Sequence, residues 1–265
     1  MILTRALRDN LTVHTISFRS AVAYRWAVAL LLAVIAVAAN PVARAATINY
    51  GNFGPVPPGV SFLQVTESSG TDPVPLYGPP TPFATGLDFD PAAFVASANG
   101  GGADITDGQL NFTVASSPNI GIGNISLFEG GDYTLAGSGT TATQVLAGAI
   151  ITATVTEING APVAPFNLPS SNASVGFNLV ANPGIVQPWT LGTGFNINLP
   201  PGQLATKVEF AIDNSLVALS ESGSIAFIAK KDFRIDIMPR VPEPATIALL
   251  GLGSVITLIR RRFRS

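Results

Sequence analysis

Between residues 46 and 240 apolar side chains recur at every second position in short runs, and no window carries a capped apolar stripe at helical spacing. Leu110, Phe112 and Val114 alternate with Gln109, Asn111 and Thr113, and Phe195, Ile197 and Leu199 alternate with Asn196 and Asn198. Val208, Phe210 and Ile212 alternate with Lys207, Glu209 and Asp213, and Phe233, Ile235 and Ile237 with Asp232, Arg234 and Asp236. A period of two sends successive side chains to opposite faces of a pleated strand, so each run reads as a strand with one face buried. Further strands are expected near Val60–Thr66, Ile122–Phe128, Val145–Glu157, Val175–Val180 and Ser224–Ala229. Gly, Pro, Asn and Ser fill the intervals, as at Asn99–Gly102 and Pro200–Gly202, where turns between short strands need them. The fold class that follows is all-β: one antiparallel β-sandwich or jelly-roll-like domain, with Pro55–Pro82 a long surface loop interrupted by one strand. No repeat of fixed period supports a β-helix.

The two ends follow a different logic. Residues 1–45 read as a signal peptide: Arg5, Arg8, Arg19 and Arg25 form a basic leader, Ala27–Ala39 is apolar, and Asn40-Pro41 breaks the run. Ala43-Arg44-Ala45 supplies the small-x-small pattern that a signal peptidase accepts, so cleavage is expected after Ala45. The extracellular domain then spans 46–240, and a tail spans 241–265. That tail opens on Pro242-Glu243-Pro244, continues as an apolar stretch to Ile259, and closes on Arg260, Arg261, Arg262 and Arg264. Read as a short transmembrane helix, Ala245–Ile259 would rise about 22 Å against a hydrocarbon core of about 30 Å. Its arginines would stay cytoplasmic. The expected location is the cell envelope or the medium, with transient inner-membrane anchoring and a cytoplasmic C-terminus.

The order of those three parts, Pro242-Glu243-Pro244, a helix carrying Gly251 and Gly253, and an arginine cluster, resembles the PEP-CTERM sorting signal of bacterial surface proteins. The same tail is sometimes labelled an ice-binding-protein C-terminal motif, a name that carries no sign of ice binding. The resemblance covers about 25 residues. It implies processing by an integral-membrane exosortase, and an association with exopolysaccharide, biofilm and the Gram-negative envelope.

Charge separates the middle region from its ends. Residues 46–240 hold five basic and fourteen acidic side chains, a formal charge of −9, and no Lys or Arg occurs between Ala46 and Thr206. Such a surface repels phosphate backbones, so nucleic acid is not an expected partner. Exopolysaccharide is the partner the resemblance favours, with the membrane met through the tail.

Absent residue types narrow the chemistry further. The single histidine, His14, lies in the leader and the chain has no cysteine. A Ser-His-Asp or Cys-His nucleophile therefore cannot be assembled in the mature domain, nor a His- or Cys-liganded zinc site, nor a disulfide. No catalytic, cofactor or metal residue is assigned, and the protein is not expected to be an enzyme. Asp88 and Asp90, with Asp104 and Asp107, are the carboxylates from which a calcium site could be built. Acid pairs about 5 to 10 Å apart would be needed for glycoside hydrolysis. Thr152, Thr154 and Thr156 share one strand face, read as ordinary solvent-facing threonines. Trp189 would carry a carbohydrate-binding reading only if its ring were exposed to stack on sugar. Lys230-Lys231 reads as the solvated edge of a terminal strand. The reading that results is an exported structural or adhesive surface protein, with a carbohydrate-binding module or a calcium-stabilised adhesin as the alternative.

Overall fold

The computed structural model describes residues 46–56 and 59–240, which form thirteen strands joined by turns. The strands are β1 (Thr47–Val56), β2 (Val60–Ser68), β3 (Thr81–Phe83), β4 (Gly86–Phe89), β5 (Val95–Asn99), β6 (Ala103–Ser116) and β7 (Gly121–Gly137). They continue with β8 (Gln144–Ile158), β9 (Ala161–Asn167), β10 (Ser171–Asn178), β11 (Gly184–Asn196), β12 (Ala205–Leu219) and β13 (Ser224–Arg240). A seven-stranded sheet runs in the order β1-β2-β6-β12-β8-β10, with β9 also on β8; a six-stranded sheet runs β11-β7-β13-β4-β3, with β5 also on β13. All of these pairings are antiparallel. The molecule is an all-β, two-sheet sandwich, as the alternation implies.

The core is built from the inward set of each long strand. Leu110, Phe112 and Val114 of β6 meet Val208, Phe210, Ile212 and Leu216 of β12 in one sheet. Facing them are Ile125, Leu127 and Leu135 of β7 with Ile228, Phe233, Ile235 and Ile237 of β13. Phe112 stacks on Phe210 with ring centroids 5.4 Å apart, and Phe62 tilts against Phe112 at 5.9 Å. Burial of these side chains is the main favourable contribution to folding, because the chain has no disulfide.

The stretches Ser224–Ala229 and Phe233–Ile237, expected as separate strands, are one strand, β13. Opposite β7 its register passes from Lys230↔Gly131 to Asp232↔Gly130, which leaves Lys231 as an extra, bulged residue. The bulge switches the inward set from even to odd positions: Ser224, Ala226, Ile228 and Lys230 point in before it, Phe233, Ile235 and Ile237 after it. Gly131 is required beside it, because a Cβ there would lie 1.9 Å from Ala229 O. Other differences are local. Of the run Phe195–Leu199 only Phe195 and Asn196 lie in β11, and Ile197 just beyond it is tied by its N–H to Gly123 O at 2.8 Å. The expected surface loop up to Pro82 buries Leu76 and Tyr77 completely enough to place both in the core.

The expected transmembrane helix is corrected: among the described residues no helix is long and apolar enough to cross a membrane. The segment Ala245–Ile259 on which it was placed lies outside the described residues, and its fifteen residues are too few to span an undistorted bilayer core of about 30 Å. The transmembrane reading is withdrawn. The signal peptide with Ala43 and Ala45, and the tail residues Pro242, Glu243, Pro244, Arg260, Arg261, Arg262 and Arg264, also lie outside the described residues.

Candidate functional site

The outer face of the seven-stranded sheet is polar along three adjoining rungs. Ser68, Gln109, Asp213, Ile150 and Asn172 form one rung across β2, β6, β12, β8 and β10. Thr66, Asn111, Ala211 and Thr152 form the next, and Thr113, Glu209 and Thr154 a third. Alternation along each strand explains this face, since Asn111, Thr113, Ile150, Thr152, Thr154, Glu209 and Ala211 each sit between two core residues. Small residues at Gly148, Ala211 and Ser215 leave two hollows in it. One, about 610 Å³, is bordered by Asp107, Gln109, Asp213, Ser215, Asn172 and Ser174. The other, about 420 Å³, is bordered by Gln64, Thr66, Asn111, Thr152, Thr154 and Glu209.

Hydrogen bonds fix several of these groups. Gln109 Nε2 donates to Asp213 Oδ1 at 2.8 Å, and Asn111 Nδ2 donates to Gln109 Oε1 at 3.3 Å. The Thr154 hydroxyl donates to Asn167 Oδ1 at 2.8 Å and that of Thr152 to Ala211 O at 3.3 Å. Carboxylates accept, hydroxyls and amides do both, so the face offers the mixture of donors and acceptors that a hydroxyl-rich ligand uses.

Asp107 closes one end of the larger hollow by holding the loop after β2. Its Oδ1 accepts from the N–H of Gly70 and of Thr71, both at 3.0 Å, and from the hydroxyls of Thr71 at 2.8 Å and Ser69 at 3.2 Å. Partial burial works to raise its pKa, but these hydrogen bonds from Thr71, Gly70 and Ser69 together outweigh it and hold the carboxyl below its ordinary value. Asp104 Oδ2 accepts from Ser97 N at 2.7 Å and so anchors β5. The four carboxylates considered for calcium are thus divided between sheets: Asp104 and Asp107 lie on β6, Asp88 on β4 with Asp90 just beyond it. Asp88 and Asp90 instead sit near Asp232, whose pKa is raised by burial first and then by these two charges. Among the described residues no group of three or more His, Cys, Asp or Glu is placed to hold a metal ion.

A second polar cluster lies inside the sandwich. Lys230 of β13 and Glu129 of β7 form an ion pair in which both side chains are excluded from solvent. The ammonium faces the rings of Phe94, Phe233 and Tyr77, with centroids at 4.5, 5.0 and 5.7 Å. Apart from that carboxylate, Lys230 Nζ meets no hydrogen-bond partner among the described residues. Asn214 reaches in from β12, its Nδ2 donating to Glu129 Oε1 and Oε2, each at 3.3 Å. The Tyr77 hydroxyl lies 2.7 Å from Asn214 Oδ1 and 2.9 Å from Gly108 O. A Cβ on Gly108 would come within 3.0 Å of Phe94 and Tyr77, so glycine makes room for the rings. Burial pushes the Lys230 pKa down and that of Glu129 up, each opposed by the other's charge. Burial, then the Glu129 and Glu67 charges, hold the Tyr77 phenol well above its ordinary value and therefore protonated. Glu67, itself buried, fixes Tyr77 by accepting from its N–H at 3.2 Å, from Leu76 N and from the Tyr50 hydroxyl at 2.5 Å.

Two residues considered for surface roles are therefore in the core. Trp189 is 3% exposed, packs with the core residues and donates its indole N–H to Ala229 O at 3.1 Å, so it has no face free for sugar. Lys230 is not a solvated edge residue; its neighbour Lys231 is the exposed one, paired with Asp132. The residues missed from sequence are Asn214, Glu129 and Tyr77. Asn214 and Glu129 do occupy inward positions of β12 and β7, continuing Ile212 and Leu127, and that parity is the signal that points to them.

Comparison with known proteins adds one firm finding. Residues 240–262 match the PEP-CTERM protein-sorting motif, so the chain carries the type of sorting motif that exosortases recognise. No curated protein matches the chain. Among solved structures it is similar to TmCBM61 in complex with β-1,4-galactotriose, at 10% identity over 74% of this chain and 90% of that one, with a TM-score of 0.22. It is also similar to infectious bursal disease virus Gx strain (13% identity, 76% and 60% of the chains, TM-score 0.16). A third is lectin I-B4 from Griffonia simplicifolia in metal-free form (9% identity, 74% and 100%, TM-score 0.16). At such low TM-scores these likenesses carry no argument about function.

The Asp107 tether gives a pH-dependence with a definite sign. A carboxyl held below its ordinary value contributes stability that is fully present above the ordinary carboxylate range, about pH 4, and is lost as pH falls through the lowered value. Asp107→Asn should therefore lower the urea midpoint at neutral pH and converge on wild type as the solution is acidified. A gap that stays constant across pH would contradict this.

Proposed function

We propose that the protein is an exported, non-enzymatic component of the bacterial cell surface or its matrix that holds exopolysaccharide on the outer face of the seven-stranded sheet. The observation that carries the reading is the ladder of amide, hydroxyl and carboxylate side chains bordering two hollows there. A polysaccharide presents repeated hydroxyls along an extended chain, and a row of fixed donors and acceptors matches that demand. Because Trp189 is buried, recognition rests on hydrogen bonding rather than stacking on that ring. Binding is favoured over hydrolysis because glycoside cleavage needs a protonated acid beside its partner carboxylate, and Asp107, the carboxyl that shares the larger hollow with Asp213, is held below its ordinary value by the loop after β2.

Ala211→Phe tests the reading, since it fills the smaller hollow from its floor without touching the core. Titration with exopolysaccharide from the producing cells should show binding at least tenfold weaker, about 1.4 kcal/mol, with the unfolding temperature little changed. Equal binding by wild type and variant would remove this face from the account.

Delivery is assigned to the ends. Cleavage after Ala45 by signal peptidase releases the domain, and an exosortase acts on the tail through Pro242, Glu243 and Pro244, with Arg260, Arg261, Arg262 and Arg264 as its basic close. Deleting 242–264 should shift where the protein accumulates between cell envelope and medium, read by immunoblotting of fractions. Identical partitioning of the two forms would show that the tail is not an address.

A further inference from the structure

We propose that the sandwich closes with a covalent bond between its sheets, an amide joining Lys230 Nζ to Asn214 Cγ, formed by the protein itself with Glu129 as proton shuttle and Tyr77 as donor to the carbonyl oxygen. The inference is independent of the polysaccharide reading. It rests on four groups that the fold brings together from three strands and a loop: an amine, a carboxamide, a carboxyl group that touches both, and a phenol on the carboxamide oxygen.

The carboxamide stands in the orientation the reaction needs. Asn214 turns its nitrogen to Glu129 and its oxygen to the Tyr77 hydroxyl, the assignment that satisfies an acceptor-only carboxylate on one side and a phenolic donor on the other. The aromatic wall of Tyr77, Phe94 and Phe233 excludes water. In that setting a separated charge pair is costly, several kcal/mol per ion before the attraction between them is counted. Transfer of a proton from Lys230 to Glu129 removes both charges, the direction in which burial moves each pKa.

The steps balance. Lys230 gives one proton to Glu129 and becomes a neutral amine. Its lone pair attacks Cγ of Asn214, and the negative charge that develops on Oδ1 is met by the Tyr77 hydroxyl. Glu129 passes its proton to Nδ2, the Cγ–Nδ2 bond breaks and ammonia leaves. Glu129 then takes the remaining extra proton from the new amide nitrogen. One C–N bond forms and one breaks, nothing is oxidised or reduced, and the site is left with a neutral amide beside a protonated Glu129. No buried charge remains.

The consequence suits a surface protein without cysteine. Asn214 lies on β12, central to one sheet, and Lys230 on β13, central to the other and the strand that runs directly to the sorting tail at Arg240. A tension applied through the tail would be carried by a covalent bond between the sheets rather than by core packing alone.

Cleavage after glutamate separates the two residues, because Asn214 falls between Glu209 and Glu221 and Lys230 after Glu221, while the Glu243-Pro244 bond resists the protease. The full chain is purified, digested with a glutamate-specific protease and analysed by tandem mass spectrometry. The expected result is a joined species of residues 210–221 and 222–265, lighter by one ammonia, about 17 Da, with the branch at Lys230. Glu129→Gln should give the two peptides separately at full mass, and Lys230→Met, which keeps an apolar side chain of similar length in the aromatic wall, serves as the folded control without a link. Separate full-mass peptides from wild type would overturn the proposal. So would loss of ammonia from 210–221 alone, which marks a succinimide at Asn214, and a link that persists undiminished in Glu129→Gln would overturn the role of that carboxyl.

Discussion

One inserted residue decides what the centre of this sandwich contains. With Lys231 bulged out, Ser224, Ala226 and Ile228 face the core on one side of it, and Phe233, Ile235 and Ile237 face the core on the other. Had the strand kept strict alternation, Asp232, Arg234 and Asp236 would have been driven inward behind Ile228. The bulge avoids burying three charges and accepts one, Lys230, at the switch point. Everything around that ammonium then follows from the cost of a lone buried charge: Glu129 from β7, the ring faces of Phe94, Phe233 and Tyr77, and the glycines at 108 and 131 that let the rings and strands approach.

The fold class was legible because period two survives wherever one sheet face is dry. Leu110 to Val114, Val208 to Ile212 and Phe233 to Ile237 all lie in strands with those residues inward. What failed was continuity and context. β13 looked like two strands because a bulge resets the alternation, and Tyr77 looked like part of a surface loop because nothing local announces that Glu67, ten positions earlier, will take up its backbone N–H. Whether the Trp189 ring is exposed could not be read locally, since what buries it is the packing of β11 against Ala229 of β13.

The candidate sites divide in the same way. Individual residues of the outer polar face, such as Gln109, Asn111 and Thr113, were visible as the wet half of an alternating run, but which strands lie beside them was not. The order β2-β6-β12-β8-β10 comes in part from pairings between residues more than a hundred positions apart. The buried cluster was less visible still, because single polar residues at core positions read as interruptions until their partners from the opposite sheet are known. The sorting motif at 240–262 is the opposite case, a local code that needs no fold to be recognised.

The central claim is that Lys230 belongs to the interior while Lys231, its neighbour, belongs to the surface. Acetylation of the native full chain with a water-soluble amine reagent, followed by peptide mapping, tests it most directly. Rapid modification of Lys231 with Lys230 untouched is the expected pattern. Modification of both lysines at similar rates would mean that the charge is not in the core, and the bulge, the aromatic wall and the cross-sheet cluster would have to be abandoned together.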